Sequence, residues 1–214
     1  MAARDPENKV RHGLGFERLV FFSDAVFAIA ITLLVLDLKP GPGRFSLAAE
    51  GSQILAFGVS FYVIGRYWLV HHALFEGVHG YDRRLLTTNL LFLAAIAFLP
   101  FPTGVVARWG SDEGAEIFYT LSLAFVGVAL LALVFAVRRP GIMEPGQTRG
   151  GTVNRIVTGA ASPVVFCLAA AAAPFMPRGG ALWCLLLLFP VGYAAHRLGE
   201  AVERRIDGAA RAGP

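Results

Sequence analysis

Long apolar stretches alternate with short charged connectors along most of the 214 residues. Residues 85–107, 117–137 and 156–177 contain no Asp, Glu, Lys or Arg. Each is long enough to cross a bilayer as a helix, which takes about 20 mainly apolar residues. Three further stretches carry only a few charges, so the pattern predicts an all-α integral membrane protein, a single domain over residues 1–214 with six transmembrane helices. The expected spans are 18–38, 51–76, 85–107, 114–137, 154–177 and 179–206.

The composition also indicates a membrane protein. Hydrophobic residues make up 56% of the chain and charged residues 16%, whereas a soluble domain carries charge on roughly a quarter of its residues. The net charge of +4 does not point to a nucleic-acid partner, because the basic residues lie at segment ends and form no long basic run. The lipid bilayer is therefore the first partner that the sequence predicts.

The basic residues predict how the chain crosses the membrane. Of the 19 Lys and Arg residues, 14 lie in one set of alternate connectors, four lie in the other set, and Arg66 lies inside a span. Since basic connectors favour the cytoplasmic side, we expect a multi-pass protein of the plasma membrane with both termini in the cytoplasm.

Trp68 is expected near a membrane interface, and Pro100 and Pro102 are expected to kink the third span.

The first span contains polar residues that a lipid-facing surface disfavours. Arg18, Ser23 and Asp24 lie in its cytoplasmic third, and a charge that faces lipid costs at least about 2.5 kcal/mol on insertion scales. Arg18 and Asp24 are six residues apart, so they do not form the surface pair that a spacing of three or four allows. We therefore expect their partners on other helices or subunits. Candidate partners on the next two spans are His71, His72 and Asn89.

The outer part of the first span has a regular aliphatic stripe. Ile29, Leu33 and Leu36 follow the i, i+4, i+7 spacing of one helix face, and Thr32 lies beside them. Such a stripe is typical of a helix-packing seam. It also fits a pore, because copies of the helix around an axis would form rings of aliphatic side chains that control ions by dewetting. The spacing alone leaves both interpretations open.

The sequence predicts no metal site, no other cofactor and no enzymatic site. His72 and Glu76 are four residues apart and could share a metal, but no defined ligand set accompanies them. An ATP-binding G-x-x-x-x-G-K-[ST] motif is absent from the sequence, so active pumping is not supported, and H-E-x-x-H is absent as well.

The segment from Arg18 to Asp24 has the form R-x-x-x-F-S-D. Together with the apolar residues that follow it to Leu36, it closely resembles the first helix of the prokaryotic transmembrane protein 175 family of potassium channels. The resemblance continues through Trp68–Phe75 and Asn89–Thr103, and therefore covers the first half of the chain.

The resemblance implies a passive channel that favours K⁺ over Na⁺, with K⁺ as the permeant ion. In that family four six-span subunits surround one pore, the first helix lines it, and no T-V-G-Y-G filter is present. A single copy of the motif then implies a homotetramer. The constricting positions fall on Ile29, Leu33 and Leu36, and the hydroxyl layer that selects ions falls on Thr32. The motif, gating and interhelical residues fall on Arg18, Phe22, Ser23, Asp24, His71, His72 and Asn89.

A second function remains open at this point. Ionisable residues inside a membrane often mark a proton relay, so the cluster of Arg18, Asp24 and the histidines also fits a proton-coupled secondary ion transporter. The two functions differ in the residue on which ion flux depends: Asp24 for the transporter and Ile29 for the channel.

Overall fold

The computed structural model describes residues 6–36, 38–39, 47–76, 78–109, 112–139, 142, 164–169, 171–172, 175 and 188–211. The helices of at least ten residues in these ranges are six, and the described elements confirm the all-α class. Their bounds are α1 Pro6–Leu36, α2 Leu47–Phe75, α3 Arg83–Phe98, α4 Pro100–Trp109, α5 Glu113–Val137 and α6 Leu188–Arg211.

Four segments in the described part of the chain are long and apolar enough to cross a membrane. They are Leu14–Leu36, Gln53–Phe75, Arg83–Trp109 and Glu113–Val137, and they coincide with the first four predicted spans. Of the predicted span 154–177, residues 164–169 and 171–172 are helical, and most of the remainder lies outside the described residues. The last predicted span, 179–206, is described from residue 188, and its helix α6 is not among the four membrane-crossing segments.

The third membrane-crossing segment is interrupted at its proline. Because Pro100 has no N–H, it cannot donate to the carbonyl of Ile96 as the next residue of a regular helix would. The N–H of Leu99 donates to that carbonyl instead, at 3.1 Å, and the N–H of Thr103 then resumes the helical pattern by donating to Leu99 at 3.1 Å. The predicted irregularity therefore lies at the junction of α3 and α4.

The core lies where α1, α2, α3 and α5 meet. Helix α3 packs extensively on α5, and α1 packs on both α2 and α3. The helix α1 contributes a face of residues spaced as i, i+4, i+7 and i+11, so one side of it is sealed within the subunit. The members of that face are Ser23, Phe27, Ala30 and Leu34, all at most 1% exposed.

Buried hydroxyl groups link α2, α4 and α5 by hydrogen bonds. Ser60 of α2 lies 2.8 Å from the hydroxyl of Tyr119 on α5, and the hydroxyl of Thr103 on α4 donates to Ser60 at 2.9 Å. All three side chains are buried. Hydrogen bonds of this kind stabilise helix–helix contacts inside membranes, where apolar surfaces alone gain little over lipid.

At one end of the helices, Asp82 connects α3 with the end of α5. Its Oδ1 caps α3 by accepting from the N–H of Leu85 at 2.8 Å, and its Oδ2 lies 2.6 Å from Nη2 of Arg139. The hydrogen bond from Leu85, with a smaller contribution from the charge of Arg139, holds the pKa of this carboxyl below its ordinary value, although desolvation acts in the opposite direction.

We predict that Asp82→Asn lowers the unfolding temperature in detergent at neutral pH, because the amide keeps a cap but loses the ion pair. A carboxyl whose pKa is lower in the folded state than in the unfolded state stabilises the fold at pH values above the unfolded-state pKa. That stabilisation is lost as the pH falls through the folded-state pKa. The difference between wild type and variant should therefore shrink on acidification below about pH 4. Asp112→Asn is the matched control, since Asp112 caps α5 through Ala115 at 3.0 Å. An equal and equally pH-dependent effect in both variants would contradict the ion-pair contribution.

Candidate functional site

Ser23 is the first link of a hydrogen-bonded chain across three helices. Its hydroxyl donates to the carbonyl of Leu19 at 2.9 Å, which leaves the oxygen to accept from Nδ2 of Asn89 at 3.0 Å. The other end of that amide, Oδ1, lies 2.9 Å from Nε2 of His71. The chain thus links α1, α3 and α2 through side chains that are each at most 1% exposed.

The direction of this chain follows from its first bond. The Leu19 carbonyl can only accept, so the Ser23 oxygen must accept from the NH₂ of Asn89, and Oδ1 must then face His71. Since Oδ1 is an acceptor, Nε2 of His71 carries the hydrogen. The arrangement therefore selects one orientation of the amide and requires a proton on Nε2 of the imidazole.

Three phenylalanine rings enclose His71. The imidazole stacks on Phe75 with ring centroids 4.3 Å apart and on Phe92 at 5.7 Å, and Phe27 lies at 5.6 Å. Aromatic stacking holds the plane of the ring, and the surrounding apolar surface excludes water. His71 is therefore oriented by packing as well as by its hydrogen bond.

Asp24 takes a different partner from the one that the sequence suggested. Its Oδ1 accepts from the indole N–H of Trp68 at 2.8 Å, and no hydrogen bond joins it to Asn89 or to either histidine within the described residues. Neighbours on a helix point about 100° apart, so Ser23 and Asp24 reach different parts of the subunit. The sequence predicts Trp68 near a membrane interface, a prediction that does not consider its indole N–H. This N–H is a donor that needs an acceptor when it is partly buried, and Asp24 is that acceptor.

His72 and Arg18 lie away from the buried chain. The ring of His72 stacks on Trp68 with centroids 5.5 Å apart, and its Nε2 lies 3.5 Å from Oε1 of Glu76, with both side chains largely exposed. Arg18 is exposed, and no ion pair with it is found in the part of the chain that the structure describes. The structure therefore does not bring the six polar candidates into one cluster.

The aliphatic stripe of α1 lies on the face opposite the core. Ile29 is 58% exposed and Leu36 67%, and Leu33 and Phe22 also point out of the subunit. Thr32 is exposed as well, and its hydroxyl donates to the carbonyl of Ile29 at 2.9 Å. The hydrogen of Thr32 is thus used within the helix, while the oxygen remains able to accept from or coordinate a group outside it.

The described residues contain no metal-binding cluster. No group of three or more His, Cys, Asp and Glu side chains is placed to hold a metal ion there. His72 and Glu76 therefore have no third metal ligand of these types beside them in the described part of the chain.

Comparison with known proteins gives a family-model match that begins at the same motif. The sequence model described as "Endosomal/lysosomal potassium channel TMEM175" matches residues 18–100. A potassium channel of Streptomyces collinus is 40% identical over 134 residues, which are 58% of this chain and 65% of that protein. The human endosomal/lysosomal proton channel TMEM175 is 35% identical over 130 residues, which are 53% of this chain and 26% of the human protein.

A solved structure extends the likeness beyond the matched sequence. It is the crystal structure of a lysosomal potassium-selective channel TMEM175 homolog from Chamaesiphon minutus, with a TM-score of 0.68 and 25% identity. The superposition covers 89% of this chain and 97% of that one. The segment matched by sequence, 18–100, contains the stripe of α1 and all members of the buried chain.

We predict that Asn89→Ala destabilises the folded protein by about 1–3 kcal/mol, because it leaves the buried Nε2–H of His71 without an acceptor and removes the donor to the Ser23 oxygen. The unfolding temperature in detergent measures the effect. Thr87→Ala is the matched control on the same helix, since its exposed hydroxyl bonds only to the carbonyl of Arg83, at 2.8 Å. Equal unfolding temperatures for the two variants would show that the buried chain contributes nothing measurable.

Proposed function

We propose that the chain belongs to the TMEM175 family and that it is a passive potassium channel that favours K⁺ over Na⁺. The observation that carries the proposal is the aliphatic stripe of α1, which turns away from the core of its own subunit within the segment that matches the family. The bacterial relative is named a potassium channel. A channel function requires no cofactor and no enzymatic step, with K⁺ itself as the permeant ion.

The proposed assembly is a homotetramer of six-span subunits, each one domain over residues 1–214. Four spans and two further helical stretches support the span count. One face of α1 is occupied by contacts within the subunit, so its other face is available to line an axis shared by several copies. Both termini would lie in the cytoplasm and the protein in the plasma membrane, in agreement with the distribution of basic residues.

The proposed pore has rings at Ile29, Leu33 and Leu36, with the Thr32 hydroxyls between them. A narrow aliphatic ring forces an ion to shed or rearrange water. The smaller Na⁺ binds its water more strongly than K⁺, so the ring would favour K⁺. The exposed oxygen of Thr32 would then supply a polar contact where water is scarce.

Ser23, Asn89 and His71 would support this pore without touching the ion. Ser23 lies six residues before Ile29, about 9 Å along the helix axis. A hydrogen bond at that distance fixes the rotation of α1, and therefore which side chains face the axis. Arg18 and Phe22 would face a neighbouring subunit or lipid headgroups, in keeping with their exposure.

The first experiment measures the reversal potential of the reconstituted protein under opposed K⁺ and Na⁺ gradients. Wild type is expected to reverse toward the K⁺ equilibrium potential, and Ile29→Ala to shift toward zero because the ring is widened. Leu90→Ala is the control: Leu90 of α3 is 57% exposed, close to the 58% of Ile29, but lies on another helix. An unchanged reversal potential in Ile29→Ala would place the selective constriction elsewhere.

A second experiment tests Thr32 in the same assay. Thr32→Ala should lower the K⁺ to Na⁺ permeability ratio by about fivefold, the equivalent of one hydrogen bond of about 1 kcal/mol. Thr32→Ser keeps the hydroxyl and should keep the ratio. If the serine variant loses selectivity as the alanine variant does, the methyl group rather than the hydroxyl is the relevant feature.

The alternative function is a proton-coupled secondary ion transporter that uses Arg18, Asp24 and the histidines, and the human relative is named a proton channel. The contact between Asp24 and Trp68 argues against a relay through these groups, because an indole N–H donates but cannot accept a proton. Asp24→Asn distinguishes the two. It should leave K⁺ current in the protein that still assembles, whereas a relay through Asp24 would lose its flux.

A further inference from the structure

A cleft with three arginines opens between α3 and α5, at the end of the helices where Asp82 lies. Its volume is about 650 Å³, and Arg83, Arg84 and Arg139 line it above a floor formed by Phe135 and neighbouring alanines. Asp82 pairs with Arg139 and offsets one of the three charges. The cleft therefore has an excess of positive charge and a volume in the range of small-molecule sites.

Arg139 is partly exposed, with 37% of its side chain accessible, and it lines this cleft while its Nη2 bonds to Asp82. Arginine side chains bind the oxygens of phosphate groups through charge-assisted hydrogen bonds. The cleft thus offers an anion a concentration of arginine side chains.

An apolar cavity continues the cleft along the same two helices. Its volume is about 430 Å³, and its lining includes Leu91 and Phe98 of α3 and Phe118 and Phe125 of α5. The lining positions of α3 run from 84 through 87, 88, 91, 94, 95 and 98, which is the spacing of one helix face. The two cavities therefore follow one another along one face of α3, and together they are called the groove.

The length of this groove fits one leaflet of a membrane. Arg83 begins the third membrane-crossing segment, which places the arginines at the interface and the apolar part at hydrocarbon depth. From Thr87 to Phe98 the helix rises by about 16 Å, and half of the roughly 30 Å hydrocarbon core is about 15 Å.

We propose that this groove binds an anionic phospholipid, with its phosphate among the three arginines and an acyl chain along the apolar part. Basic pockets between transmembrane helices are suited to anionic headgroups. A zwitterionic headgroup would bring its own cation close to the arginines and lose most of the attraction. The proposal does not depend on ion conduction, so it can fail or succeed independently of the channel function.

The test is lipid binding to the purified, delipidated full chain, measured by native mass spectrometry. The probes are phosphatidylglycerol and phosphatidylcholine with identical acyl chains. Wild type should prefer phosphatidylglycerol by at least about fivefold, and each of Arg83→Gln and Arg84→Gln should weaken its binding by about fivefold. Arg108→Gln is the control, because Arg108 is exposed at the end of α4 and carries the same charge. Equal binding of the two lipids by wild type would overturn the proposal without any variant.

Two further measurements separate a lipid from a soluble phosphate and from general attraction. Ala94→Phe narrows the apolar part of the groove and should weaken the binding of phosphatidylglycerol. The headgroup fragment sn-glycerol 3-phosphate should bind far more weakly than the whole lipid. If glycerol phosphate binds as tightly, the groove is a site for a soluble anion and the proposal is wrong. If Arg108→Gln weakens binding as much as Arg84→Gln, only general electrostatic attraction is at work.

Discussion

The position of α1 depends on the hydrogen bonds that run from His71 through Asn89 to Ser23. Lipid chains solvate apolar side chains as well as neighbouring helices do, so apolar surface by itself fixes no rotation for a spanning helix. A polar group inside the membrane does fix one, because its alternative is to remain unpaired in hydrocarbon. The NH₂ group of Asn89 reaches the Ser23 oxygen in only one rotation of α1, and the rest of that helix follows.

The two faces of α1 are consequences of this single orientation. Phe27, Ala30 and Leu34 are carried into the core, and Ile29 and Leu36 are carried outward. Helix α3 has a central part in the arrangement, since it supplies Asn89 to α1, packs on α5, and forms one wall of the basic groove. Three different surfaces of one helix thus connect α1, which carries the candidate pore face, with α5 and the groove proposed to bind lipid.

Much of this arrangement could be predicted from sequence, because a bilayer leaves few alternatives for a long apolar segment. The class and the first four spans follow from hydropathy, and the irregularity near Pro100 follows from its missing N–H. The contact of Ser23 with Asn89 is among those that the family resemblance suggested. The partner of Asp24 could not be predicted from spacing, because it depends on how α1 and α2 are rotated against each other. The groove was out of reach for a similar reason, since its arginines at 83 and 139 meet only through the packing of α3 on α5.

The directional character of the buried chain has a consequence for how this sequence can vary. Each polar atom in it has one role, since the Leu19 carbonyl fixes Ser23, Ser23 fixes Asn89, and Asn89 fixes His71. A codon change at any one of these three side chains leaves a mismatch at the next, whereas coordinated changes could restore it. Natural selection should therefore treat positions 23, 71 and 89 as a unit, and their substitutions should covary across divergent relatives more strongly than those of the exposed stripe.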